Sequence, residues 1–164
     1  MSEALDPLPL LRLLHEQDVE HVIIGGFAVN AHGFIRVTKD LDIVPCATVE
    51  NLRRLAGALR DLDAKVLETE DFEADELPID PLRIDDLAQG GNVCLYTRLG
   101  RLDIMQWISG IDVDDLYAEL EPQALIGDLD GVTVRVCGLE HLRTMKSAAG
   151  RPQDIEDLER LSEN

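Results

Sequence analysis

The sequence predicts a mixed α/β domain of the α+β kind, with a largely antiparallel sheet and helices packed on it. Three observations predict it. Apolar runs of strand length and stretches of helical spacing both occur along the chain. Two pairs of strand-like runs flank tight-turn dipeptides, Leu99-Gly100 and Asp130-Gly131. Hydrophobic residues make up 45% of the 164 residues, enough for a real core.

The elements follow in order. Residues 7–17 (PLPLLRLLHEQ) read as a short amphipathic helix. Residues 19–24 read as a strand that ends at Gly25-Gly26, and 27–32 as a short helix stopped by Gly33. Residues 39–45 form a strand. Thr48 is an N-cap for a helix running to Leu62, with leucines at 52, 55, 59 and 62 in helical register. Residues 65–69 read as a strand, the acidic stretch 68–80 as an exposed loop, and 81–89 as a helix closed by Gly90-Gly91. Residues 92–98 and 101–107 make the first hairpin, 112–120 a short helix, and 124–129 with 132–137 the second hairpin. Helices over 139–149 and 152–161 are split by Gly150-Arg151-Pro152. The whole reads as one domain, 1–164, with the C-terminal helices of about 139–162 packed on it.

Composition excludes several classes. No apolar run approaches bilayer length, and the N-terminus lacks a basic start followed by an apolar block, so a cytoplasmic protein with no membrane partner is expected. The three cysteines, Cys46, Cys94 and Cys137, are far apart in sequence and lie in or beside apolar stretches, which predicts buried, reduced thiols. A formal net charge of −18 argues against an extensive nucleic-acid groove, because phosphate contacts need clustered Lys and Arg.

The chemistry concentrates in "GGFAVNAHGFIRVTKDLDIV". On a strand, Asp40 and Asp42 share one face while Leu41 and Ile43 share the other. Two adjacent carboxylates repel each other and lose solvation, a conflict that a divalent cation resolves. Asp103, between Leu102 and Ile104 in "GRLDIMQWI", has the same setting. Three converging acids suit two magnesium ions and in-line displacement at phosphorus, with Asp103 also able to take a proton from the attacking hydroxyl. Each feature alone also fits a solvated strand face. Gly25-Gly26 fits either a phosphate cradle or a plain strand-to-helix turn. Neither a Walker A pattern nor G-x-G-x-x-G is present.

Taken together, a strand, Gly-Gly, a short helix and then Asp-Leu-Asp on a strand resemble the nucleotidyltransferase superfamily that shares the polymerase-beta palm. The nearest likeness in motif is to small bacterial abortive-infection and toxin–antitoxin nucleotidyltransferases and to antibiotic-modifying relatives. The resemblance implies that fold, nucleotide-phosphate contacts at Gly25 and Gly26, and catalytic, magnesium-binding roles for Asp40, Asp42 and Asp103. Many relatives carry serine where Gly26 or Phe27 stands here. Arg36 and Thr38 precede the acids; Arg36 suits either a phosphate contact or an ion pair. "HLRTMKSAAGRPQDIEDL" matches toxin-type relatives in order at Lys146, Arg151 and Asp154, which implies phosphate roles for Lys146 and Arg151, against the alternative of a solvated helix face.

The function expected is magnesium-dependent transfer of a nucleoside monophosphate from an NTP to an acceptor hydroxyl, releasing pyrophosphate. The acceptor is left open among a small molecule, a protein and an RNA end, and an antitoxin or a second copy of the chain stands as a possible partner. The alternative is a nucleotide-binding or regulatory protein that keeps the fold without turnover.

Overall fold

The computed structural model describes residues 4–67 and 83–162. A single mixed sheet carries the fold. Its strands are β1 (His21–Ile24), β2 (Asp40–Pro45), β3 (Lys65–Val66), β4 (Val93–Thr97), β5 (Gly100–Ile104), β6 (Leu125–Leu129) and β7 (Val132–Val136). Their spatial order is β3-β4-β5-β2-β1-β7-β6. β2–β5 and β1–β7 pair in parallel and the other neighbours pair antiparallel, as the expected mixed, largely antiparallel sheet requires. The helices are α1 (Leu8–Glu16), α2 (Gly25–Ala31), α3 (Val49–Asp61), α4 (Ile84–Leu87), α5 (Leu116–Leu120), α6 (Leu139–Ala149) and α7 (Pro152–Ser162). None of them is long and apolar enough to cross a membrane.

The period-two pattern of β2 and β5 decides the layering. Leu41, Ile43, Leu102 and Ile104 are fully buried and join one cluster with Leu52, Leu55 and Leu59 of α3 and Leu10 and Leu14 of α1. The polar residues between them face the other way. In the second hairpin, Asp130 and Gly131 both take positive φ (52° and 85°), which suits the right-handed twist of the strands they join. The Asp128 carboxylate accepts the Gly131 amide at 2.8 Å.

Thr48 caps α3 as expected, accepting the Asn51 amide at 3.2 Å. Asn51 itself is only 1% exposed and ties three segments together. Its Oδ1 accepts the Glu20 amide at 2.7 Å, and its Nδ2 donates to the carbonyls of Glu20 (2.9 Å) and Cys46 (2.8 Å). Asn51→Ala takes the side-chain partner from the Glu20 amide and the Cys46 carbonyl, while the Glu20 carbonyl keeps the Cys46 amide at 3.0 Å. The expected cost is about 2 kcal/mol, read as a fall of roughly 4–8 °C in melting temperature by calorimetry.

Several boundaries differ from expectation. The second strand of the first hairpin stops at Ile104 rather than at 107, because the Asn92 side chain captures the amides of Gln106 (2.7 Å) and Trp107 (3.0 Å) and pulls that stretch out of the ladder. The helix expected from 112 begins at Leu116, where Asp115 caps it through the Ala118 amide at 3.1 Å. Of the helix expected over 81–89, the described residues show only α4. The loop expected over 68–80 and the end of the strand before it lie outside the described residues. All three cysteines are free thiols, but only Cys137 is buried; Cys46 and Cys94 are half-buried, against the expectation for them.

Candidate active site

Three acids meet because two strands run side by side in register. Asp40 and Asp42 leave β2 on the face away from the Leu41 and Ile43 core. The parallel pairing sets Asp42 directly opposite Asp103 of β5, and so on the same face. Oxygens from the three carboxylates lie within 4.8 Å of one another. The crowding has an electrostatic signature. Burial, then the charges of Asp40 and Asp103, push the Asp42 carboxyl up to about 8. Asp103 is raised too, chiefly by burial, although Arg101 opposes the rise. The Cys94 thiol, across the ladder from Asp103, is pushed up to about 11 by burial and by that carboxylate.

Arg101 is the residue that sequence reasoning missed here. It stands two positions before Asp103, so strand alternation puts it on the acid face. Its Nη2 lies 3.2 Å from both oxygens of Asp103, and its Nη1 lies 3.6 Å from Asp40. The Nε of the same guanidinium is buried without a hydrogen-bond partner.

The glycine pair starts α2 rather than preceding it. Gly25 has φ +72°, and a Cβ there would run into the Asp42 carboxylate. At Gly26 a Cβ would come 2.8 Å from Thr38 Cγ2 and 3.3 Å from Arg36 Nη2. Both positions therefore need glycine because the start of α2 presses against the acid strand and the segment before it. Gly25→Ala is expected to lower the melting temperature by roughly 4–8 °C, since a left-handed backbone and a clash coincide, and to displace Asp42 from its partners. A melt and a crystal structure of the variant check both effects.

Arg36, Lys146 and Arg151 come together through two acids of α7. Arg36 donates from Nε and Nη2 to Asp157, each at 3.1 Å. Lys146 Nζ lies 3.1 Å from Asp154 and 3.0 Å from Asp157, and Arg151 Nε lies 2.7 Å from Asp154. Asp154 and Asp157 are fully buried. Burial opposes ionisation of Asp154, and the hydrogen bonds from Arg151 and Lys146 overcome it, holding its carboxyl below the usual range. Three cations share two carboxylates, so the cluster keeps a formal charge of +1. Asp157 was passed over in the sequence; its spacing from Asp154 on one helix face was the available signal. Thr38 is buried beside Gly26 in the segment before β2. Arg143 turns elsewhere, to Glu140 (2.8 Å) and the Leu161 carbonyl (3.2 Å).

The acids, the glycines and this basic wall line one cavity of about 650 Å³. Asp40, Asp42 and Asp103 together are a donor set of hard oxygens, the kind that fits magnesium. The neighbouring wall has the sign and the guanidinium groups that suit phosphate.

Residues 6–164 match the family described as "Nucleotidyl transferase of unknown function (DUF2204)". No curated protein matches the sequence. Among solved structures, the chain is similar to the lincosamide antibiotic adenylyltransferase LnuA, solved with lincomycin bound, at a TM-score of 0.64 and 15% identity over 98% of each chain. It is similar to the antibiotic-resistance factor ANT(2'')-Ia at a TM-score of 0.55 and 19% identity, over 95% of this chain and 83% of that one. A nucleotidyltransferase structure from Thermotoga maritima gives a TM-score of 0.58 and 17% identity, over 99% of this chain and 98% of that one. At these identities the likeness is one of fold.

Proposed function

This chain belongs to the nucleotidyl transferase family that it matches over residues 6–164, within the polymerase-beta-like superfamily, and on that premise we propose that it moves a nucleoside monophosphate from an NTP to a hydroxyl of a small-molecule acceptor. The observation that carries the proposal is the meeting of Asp40, Asp42 and Asp103 in one cavity with the paired glycines and a net-positive wall.

In this reading Gly25 and Gly26, which line the cavity at the start of α2, present their backbone amides to phosphate oxygens. Arg36, Lys146 and Arg151 offset the triphosphate charge, and Thr38 lines the same approach. Asp40, Asp42 and Asp103 would hold magnesium, two ions in the fullest form, which supplies charge neutralisation at the phosphates and a more acidic acceptor hydroxyl. Asp103 accepts the proton of that hydroxyl as its oxygen bonds to the α-phosphorus. The bond to the bridging oxygen breaks and pyrophosphate leaves.

A small-molecule acceptor is favoured on two counts. The LnuA structure holds lincomycin, and an ANT(2'')-Ia structure holds adenylyl-2''-tobramycin. A chain of net charge −18 repels an RNA end. The test is incubation with each α-labelled NTP, magnesium and a panel of hydroxylated small molecules, beside an Asp40→Asn/Asp42→Asn control. Label transfer with pyrophosphate release is expected in the parent alone. Transfer that persists in the control removes the site assignment. Nucleotide-dependent stabilisation with no pyrophosphate from any acceptor indicates a binder instead.

A further inference from the structure

The spatial order β4-β5-β2-β1 puts the acids of β5 and β2 in the middle of the cavity. The glycines lie on the β1 side, where α2 begins at the end of β1. On the β4–β5 side the lining changes character: Asn92, Cys94, Met105, Trp107 and Ile108, with no Lys or Arg among the described residues there. Arg101 is engaged with Asp103 and Asp40. In-line displacement places the attacking and leaving oxygens on opposite sides of the α-phosphorus. With pyrophosphate leaving toward the glycines and the basic wall, the acceptor enters from the β4–β5 side.

Trp107 is held there in an unusual way. Its backbone is pinned: Asn92 Oδ1 accepts its amide at 3.0 Å, and Asn92 Nδ2 donates to its carbonyl at 2.9 Å. Gln106, beside it, donates to the Leu87 carbonyl at 2.8 Å. Further on, Gly110 (φ +95°) packs so closely on α6 that a Cβ would come 2.7 Å from Ala148 Cβ. Yet the indole is 57% exposed. A large apolar ring on an immobilised backbone, left open at the rim of a cavity, offers a face to a ligand at small entropic cost.

We propose that Trp107 is the stacking platform for the acceptor, and that the acceptor is a ring-bearing alcohol carrying a protonated amine. This deepens the transferase reading and rests on it. The flat indole takes the face of an alicyclic or sugar ring. Its π-cloud and the net charge of −18 on the chain both attract a cation and disfavour a phosphorylated acceptor.

Trp107 is the only tryptophan of the chain, so its emission reads this site directly. The experiment titrates the full-length protein, with magnesium, against three probes: 2-deoxystreptamine (a cationic ring), myo-inositol (a neutral ring) and glycerol (no ring). Each NTP is titrated separately, and its binding is also followed by thermal shift. A saturable emission change with deoxystreptamine, weaker with inositol and absent with glycerol or NTP alone, is the expected result. Trp107→Ala, an exposed position that the fold tolerates, weakens deoxystreptamine binding about tenfold by calorimetry and leaves NTP binding unchanged. An emission change driven by NTP alone overturns the acceptor role and assigns the indole to the nucleobase, with the transferase reading intact. NTP stabilisation without any response to the ring probes overturns the platform. Absence of NTP stabilisation overturns the transferase reading itself.

Discussion

Asp42→Asn is expected to abolish nucleotidyl transfer and, in the same molecule, to raise the melting temperature of the metal-free protein. The loss of transfer, by at least about 10³-fold, follows from removing a carboxylate at the centre of the cluster. The gain in stability follows from the same crowding. Burial and the charges of Asp40 and Asp103 push the Asp42 carboxyl from its ordinary value to about 8 in the folded protein. The folded state therefore holds a proton that the unfolded chain releases at low pH, and stability falls as pH rises between those two values. Asparagine keeps the shape and removes the titration. The variant and the parent should melt alike in acid, diverge as pH rises, and differ most above about 8, where the variant gains about 1–2 kcal/mol or roughly 3–6 °C. Magnesium should close the gap by stabilising only the parent, with proton release near neutral pH. Calorimetry from acid to pH about 9 with and without magnesium checks every part. A variant that melts below its parent at alkaline pH would show that the acids are not in conflict.

The second large effect belongs to the basic wall. Lys146→Met removes the cation that joins Asp154 to Asp157, both of them fully buried. Arg151 and Arg36 remain, one for each carboxylate, but the geometry that shares them is lost. Each buried carboxylate keeps its arginine but loses its charged contact with Lys146, a combined cost of about 3 kcal/mol and a fall of roughly 6–12 °C. The exposed Glu50–Arg54 pair on α3 is the contrast; its removal is expected to cost about 0.5 kcal/mol or less. If Lys146→Met melts like the parent, Lys146 is not a structural tie, and its whole value lies in binding phosphate. The Asp154 contribution carries its own sign: its carboxyl is held below the usual range, so that stability is present above that range and is lost as pH falls through the folded value.

Much of this was legible in the chain because it is local. Alternation on a strand is enough to put Asp40 and Asp42 on one face and Leu41 and Ile43 on the other. The same rule reaches Arg101 from Asp103, so that omission was one of attention rather than of information. Asp157 is different. The Arg36 partner that gives it meaning lies 121 positions away, and nothing short of the fold brings the two together. Trp107 was read as a strand residue because apolar spacing cannot reveal that an asparagine on the neighbouring chain segment would capture its backbone. The glycine pair was legible as a break but not as a contact, since the need for a bare Cα arises from Asp42 at Gly25 and from Thr38 and Arg36 at Gly26.

The parallel alignment of β2 with β5 has one more consequence. A strand slipped by a single residue turns every side chain to the reverse side of the sheet. An insertion or deletion of one residue within either strand would therefore send Asp103 and the Asp40–Asp42 pair to opposite sides, while Leu102 or Leu41 surfaced in their place. Fidelity of assembly and chemical competence are thus written in the same few hydrogen bonds, and a misaligned copy of the protein is silent rather than errant.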